Sequence, residues 1–313
     1  LVQKHSQELA TLIVQENGKN ITEALADVAK GNETVEYACS LPQLSQGKRL
    51  HVSASSSLFG SPIYCHDVRK PLGVVASVVP FNFPFMVPMW TLPIALVMGN
   101  TVILKPSERD PSVPLMLAEL MEEAGLPKGV LQVVNGDKEA VDAILDNPVI
   151  QSIGFVGSTP IAEYIYGRGC SNGKRVQCFG GAKNHMIIMP DADMDQAADA
   201  LVGAGFGAAG ERCMALSTVV AVGNETGDRF VEAMTNELGK LNVGISTDSA
   251  ADYGPVVTAA HKQRIEDYIQ MGVDEGAKLV VDGRNFSLQG YEKGFYVGPT
   301  LFDDVKPTMQ SYQ

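Results

Sequence analysis

The sequence predicts an α/β protein: a doubly wound, mostly parallel sheet followed by a second α/β unit. Three observations carry this. Short runs of β-branched and apolar residues recur without alternation, as strands buried on both faces require. Helical stretches separate them, which makes each pair a parallel crossover unit rather than a hairpin. The 313 residues are enough for two domains with a sizeable core.

Residues 2–39 place apolar side chains at helical spacing, with a break near Gly18-Lys19-Asn20. Residues 40–66 are polar and serine-rich and read as a surface loop or an edge hairpin. Gly73-Val74-Val75-Ala76-Ser77-Val78-Val79 is a continuous strand run stopped by Pro80, and a helix follows over about 86–98, ending at Gly99-Asn100. Thr101-Val102-Ile103-Leu104 is the next strand. Ser112 is the expected cap of a helix running to Ala124, with Gly125 as its C-terminal stop and Pro127 beyond. Residues 130–134 and 153–156 are two more strands. Gly180-Gly181 marks a change of pattern. Beyond it come a strand at 186–189, a small-residue helix over 191–208, a strand at 217–222, helices near 228–238 and 258–277, and a strand at 278–281. The expected division is 1–182 and 183–313.

Composition narrows the function classes. With 24 basic and 36 acidic residues the net charge is −12, and no basic stripe stands out, which argues against nucleic acid as a partner. Hydrophobic residues make up 45% and charged residues 19%, as in a compact globular protein. Five cysteines (Cys39, Cys65, Cys170, Cys178 and Cys213) are odd in number and lack paired spacing, so a reducing compartment is expected and neither a disulfide framework nor a zinc site. The five histidines form no metal-spaced cluster. The longest apolar stretch, about 81–98, is broken by three prolines and is not read as a membrane span. The chain opens at Leu1 without Met and closes at Gln313, and is read as a fragment of a longer protein.

Four motifs carry chemistry. Gly210-Glu211-Arg212-Cys213-Met214-Ala215 sets one thiol beside a cation and among small residues. A thiol attacks only as thiolate, which cations and oriented N–H groups favour; read alone, the same cysteine is more often a small buried hydrophobe. Asn82, in Pro80-Phe81-Asn82-Phe83-Pro84, follows a strand end and is either an oxyanion donor or an ordinary turn asparagine. Leu104-Lys105-Pro106-Ser107-Glu108 ends another strand, where a Lys/Glu pair brackets ribose hydroxyls or forms a solvated ion pair. Phe155-Val156-Gly157-Ser158-Thr159 opens a helix whose start either receives an anion or is simply well capped.

These motifs in this order resemble the NAD-dependent aldehyde dehydrogenase superfamily over nearly the whole chain. Gly180-Gly181-Ala182-Lys183-Asn184-His185 and Ala208-Ala209-Gly210-Glu211-Arg212-Cys213-Met214-Ala215 resemble its coenzyme A-acylating branch acting on methylmalonate or malonate semialdehyde, in wording closer to bacterial than mitochondrial members. The resemblance implies a Rossmann-type cofactor domain over 1–182, with part of an oligomerisation hairpin near 47–70, and an α/β catalytic domain over 183–313. It implies Cys213 as nucleophile, with Asn82 and the Cys213 N–H as oxyanion donors. NAD would be held by Lys105, Glu108 and the adjacent Arg109, by Ser158 at the pyrophosphate, and by Phe81, Val79 and Gly180 along its path. Coenzyme A would be the co-substrate, the product propionyl- or acetyl-CoA in valine or myo-inositol catabolism, and the assembly a homotetramer. The compartment would be the bacterial cytoplasm, or the mitochondrial matrix in a eukaryote. Arg212 is a candidate for the substrate carboxylate, with structural pairing as its other reading. One departure is informative. Hydrolytic members carry a glutamate base that, aligned on Lys183, falls at Phe179 here; a phenyl ring cannot activate water, which favours thiolysis.

Overall fold

The computed structural model describes residues 1–52 and 63–313. Part of the expected hairpin, residues 53–62, lies outside the described residues. The flanking strands β1 (Lys48–Val52) and β2 (Ile63–Asp67) pair antiparallel, Lys48 opposite Asp67 and Val52 opposite Ile63. Before them run helices α1 (Ser6–Asn17) and α2 (Ile21–Leu44). The break between them is made by Gly18, whose φ of 93° ends α1 in a left-handed cap.

The central element is a five-stranded parallel sheet, ordered β5-β4-β3-β6-β7. Its strands are β3 (Val74–Val78), β4 (Thr101–Lys105), β5 (Leu131–Val133), β6 (Ile150–Val156) and β7 (Arg175–Phe179). Helices α3 (Met86–Val97), α4 (Ser112–Glu123), α5 (Lys138–Asp146) and α6 (Thr159–Ser171) connect them. The core beside β3 and β6 includes Val78, Leu145, Ile153, Phe155 and Ile165. The order reverses at β3: the chain steps outward through β4 and β5, then returns to pair β6 on the other side. Such a switch point opens a crevice at the strand C-termini where ligands bind.

Two elements here escaped the sequence reading. In α5, Val141, Ile144 and Leu145 give a helical stripe. β7 pairs on one side only, so Arg175-Val176-Gln177-Cys178-Phe179 alternates in exposure instead of running apolar. Ser112 is the first residue of α4 rather than its cap; Pro111 takes that place. Ser158 does occupy the cap of α6 with extended backbone, but its side chain makes no capping bond.

The second unit contains the parallel pair β8 (Asn184–Ile188) and β9 (Leu216–Ala221) and the antiparallel pair β10 (Lys278–Val281) and β11 (Leu301–Asp303), with helices α7 (Met194–Phe206), α8 (Asn224–Leu238) and α9 (Ala259–Asp274). Ile188, Ala198, Leu201, Phe230 and Met234 form its core. Asp193 caps α7 by accepting the Gln196 N–H at 3.1 Å, and Thr258 caps α9 through the His261 N–H at 3.2 Å.

The chain was expected to cross between units once, after residue 182. By contacts, the first unit holds Leu1–Lys4, Val28–Pro80 and Pro84–Gly180, and the second holds His5–Asp27, Phe81–Phe83 and Gly181–Gln313. The crossing at Gly180 is accompanied by two earlier segments that fold with the later half.

Candidate active site

In the first unit, six of the candidate residues gather at the C-terminal edge of the parallel sheet. Val79 follows β3 and donates its N–H to Lys105 O at 3.1 Å. Lys105 ends β4 and is buried, 5% exposed, with its ammonium 3.4 Å from Glu108 Oε2. Arg109 Nε lies 3.5 Å from Glu108 Oε1, and Ser107 Oγ accepts the Arg109 N–H at 3.1 Å. Desolvation pushes the Glu108 carboxyl up. Its own N–H, the Lys105 charge and hydrogen bond, and the Arg109 charge outweigh that and hold it below the ordinary 4.5. Ser158 stands between β6 and α6, and Gly180 follows β7. A Cβ on Gly180 would meet Thr159 Oγ1 at 3.0 Å and Thr159 Cα at 3.3 Å, so the missing side chain is what lets the first turn of α6 approach the end of β7.

A buried cation, an ionised acceptor carboxylate and a helix start along one sheet edge fit a dinucleotide. A carboxylate accepts from ribose hydroxyls, an ammonium neutralises phosphate, and free N–H groups at a helix start bind the pyrophosphate. Phe179 sits at the end of β7, exposed.

The second unit holds Phe81, Asn82, Arg212 and Cys213. The nucleophile candidate follows a tight turn, Gly207–Gly210, in which Ala208, Ala209 and Gly210 take φ of 50°, 53° and 78°. L-residues avoid this left-handed region, so two successive alanines there are held by their surroundings. Cys213 is half-buried. Asn184, at the start of β8, donates through Nδ2 to Cys213 O at 3.2 Å and to Ala215 O at 3.0 Å, fixing the exit of the loop. Asn82 donates through Nδ2 to Glu211 O at 2.7 Å, two residues before Cys213. Glu211 Oε1 in turn lies 3.1 Å from His261 Nδ1, and the His261 ring packs on Phe81 with centroids 5.1 Å apart.

Arg212, the candidate for the substrate carboxylate, is paired within the protein. Its Nη2 pairs with Glu23 Oε1, and its Nη1 donates to Gly203 O at 3.2 Å, so both terminal nitrogens are engaged by the protein. These contacts tie the guanidinium to the turn and leave further N–H donors of its five.

Residues from the end of α1 to the start of α2 supply contacts that sequence reasoning missed. Asn17 Nδ2 donates to Phe81 O at 2.9 Å. Lys19 stands over the Phe83 ring, 3.6 Å from its centroid, and pairs with Asp27 at 3.0 Å with both side chains buried. Burial pushes the Lys19 ammonium below its ordinary 10.5, against the upward pull of Asp27 and Glu23. The signal was present: Lys19, Glu23 and Asp27 recur every fourth residue among small apolar side chains. Such spacing ordinarily marks a solvated helix face.

The profile of the aldehyde dehydrogenase family matches residues 1–313, the full chain. The chain belongs to this family. Among its relatives, malonate-semialdehyde dehydrogenase of Pseudomonas aeruginosa is 49% identical over 313 residues, covering 100% of this chain and 62% of the relative. A mitochondrial acylating methylmalonate-semialdehyde/malonate-semialdehyde dehydrogenase of Drosophila pseudoobscura, provisionally so assigned, is 45% identical over 312 residues, covering 100% of this chain and 58% of that protein. A Sinorhizobium meliloti structure solved with NAD, provisionally assigned as methylmalonate-semialdehyde dehydrogenase, superposes with a TM-score of 0.94 at 54% identity, covering 100% of this chain and 62% of that one. The aldehyde dehydrogenase chain described here thus spans about three fifths of the length of these relatives.

Proposed function

We propose that the protein carrying this chain oxidises malonate or methylmalonate semialdehyde with NAD and transfers the acyl group to coenzyme A, with loss of carbon dioxide. The observation that carries the reaction class is the Asn82 amide anchored on Glu211 O, two residues before Cys213. The substrate class rests on the relatives' names.

Cys213, as thiolate, attacks the aldehyde carbon, and the carbonyl oxygen becomes an oxyanion. A carboxamide NH₂ carries two donors. One, on Asn82, is spent on Glu211 O, which fixes the amide; the other is the oxyanion donor, joined by the Cys213 N–H. NAD, when bound, accepts the hydride that leaves the same carbon, and Cys213 is left as a thioester. Lys105 and Glu108 hold the adenosine ribose, Ser158 marks the pyrophosphate end, and Val79, Gly180 and Phe81 lie along the cofactor's path. The ionised Glu108 repels a ribose 2′-phosphate, which favours NAD over its phosphorylated form.

The thioester carbonyl lies β to the substrate carboxylate, so the electron pair released with carbon dioxide delocalises into it. The coenzyme A thiolate attacks the thioester, and the Cys213 thiolate leaves. The sum balances: semialdehyde anion, NAD⁺ and coenzyme A give acyl-CoA, carbon dioxide and NADH. Phe179, in place of a glutamate base, leaves water unactivated, whereas a thiol ionises in part near neutral pH without help.

The test follows NADH formation by the whole protein with malonate semialdehyde and NAD, with and without coenzyme A. Turnover that requires coenzyme A and yields acetyl-CoA is expected. Equal turnover without it, with free acid as product, would replace this reading by a hydrolytic aldehyde dehydrogenase.

A further inference from the structure

We propose that Glu23 is a positioning residue for the nucleophile: it locks the turn that presents Cys213. This deepens the reading of Cys213 as nucleophile and rests on it.

Glu23 lies in the first turn of α2, far from Cys213 in sequence, and its side chain is 13% exposed. Both of its oxygens accept the N–H of Ala208, at 2.9 and 3.0 Å. The same carboxylate pairs with the Arg212 guanidinium. One side chain therefore grips both ends of the segment between Ala208 and Arg212, and the next residue is Cys213. Inside the grip lie the left-handed residues Ala208 and Ala209, with φ of 50° and 53°. Their preferred backbone is elsewhere, so without the grip the segment relaxes out of this conformation.

The slot for the guanidinium is made by Gly207, where a Cβ would collide with Arg212 Nη2 and Cζ. Beside this cluster Lys19 pairs with Asp27 and also feels the charges of Glu23 and Arg212. Glu23 is thus the acid matched to Arg212, and its role is specific to this turn. It acts through Ala208 and Arg212, so it sets where Cys213 stands without taking part in bond making.

The experiment uses the whole protein and reads Cys213 alkylation by iodoacetamide, site by site with mass spectrometry, beside kcat and the KM for NAD. In Glu23→Gln, the charge and one acceptor are lost at constant shape. Alkylation of Cys213 and kcat should both fall by on the order of 10- to 100-fold, as small displacements of reacting groups do. The KM for NAD should change less than about twofold, since Lys105 and Glu108 are in the other unit. Glu23→Asp, which keeps the charge, should recover part of the loss. Gly207→Ala, which attacks the same joint from the guanidinium side, should give the same signature even where Glu23→Gln fails to fold. Wild-type alkylation and kcat in Glu23→Gln would overturn the proposal. So would an equal loss in NAD affinity, which would mark Glu23 as general support. The nucleophile reading is judged separately, on the wild type: Cys213 reacting no faster than Cys39, Cys65 and Cys170 would remove it, and this proposal with it.

Discussion

At the scale of single residues, activity is expected to rest on a sulfur and an amide nitrogen, and local stability on a buried ammonium. Cys213→Ala should abolish NADH formation, and Asn82→Ala should lower kcat by on the order of 100-fold; an unchanged rate in either would reassign that residue to structure. The cysteines provide an internal scale. Cys39, Cys65 and Cys170 are exposed and Cys213 is half-buried, so exposure alone would make Cys213 slower to alkylate. Burial pushes the Cys178 thiol up, which makes it slower still. Cys213 outrunning the exposed three would therefore report activation rather than access. The ammonium is Lys19, paired with Asp27 and set over the Phe83 ring beside Asn82. Breaking a buried pair leaves an uncompensated charge, so Asp27→Ala should cost about 3–5 kcal/mol in denaturant unfolding. A loss under about 1 kcal/mol would mean that the Lys19 ammonium is neutralised in another way. The sequence offered Cys213 and Asn82 as candidates, because a nucleophile and an oxyanion donor must be particular residue types in particular short motifs. It did not carry Lys19, Glu23 and Asp27, because their charges look the same in a solvated face as in a buried cluster.

At the scale of elements, the sheet edge sets the expectations for cofactor binding. Glu108 follows β4, and its carboxyl sits below 4.5 because Lys105, Arg109 and its own N–H together outweigh desolvation. A depressed carboxyl contributes stability that is fully present above the unfolded value and is lost as pH falls through the folded one. The stability difference between wild type and Glu108→Gln should therefore be constant from pH 7 to about 5 and shrink below 4.5. Because Glu108 is partly exposed, solvent screening keeps that difference small. NAD affinity should fall by about tenfold in Glu108→Gln at pH 7, the scale of one hydrogen bond to a charged group. A difference that grew on acidification would refute the sign and the assignment. Strands β3 and β4 were legible because they run apolar, and so were the short apolar runs of β5 and of the second half of β6; the start of β6 at Ile150-Gln151-Ser152 was not read. The end strand β7, paired on one side, was not read, and neither was α5, whose stripe is short. Caps were the least legible features: Pro111 rather than Ser112 precedes α4, because a hydroxyl earns its place as a cap only where the loop delivers it with extended backbone.

At the scale of the whole molecule, the proposed reaction makes a stoichiometric demand: one NADH, one carbon dioxide and one acyl-CoA per semialdehyde. Carbon dioxide released without acyl-CoA would show the thioester escaping to water despite Phe179. Among the described residues no helix is long and apolar enough to cross a membrane, and the family profile accounts for the full chain. The sequence by itself determined the α/β class and the succession of the apolar strands along the chain, and it offered the motif residues as candidates, since these depend on local periodicity and on residue type. Only the tertiary structure decided that His5–Asp27 and Phe81–Phe83 fold with the later half of the chain, that Arg212 faces Glu23, and that a left-handed alanine pair precedes Cys213. These are contacts between residues far apart in the chain, chosen by complementary charge and by the space that Gly207 leaves open, and no local pattern encodes them.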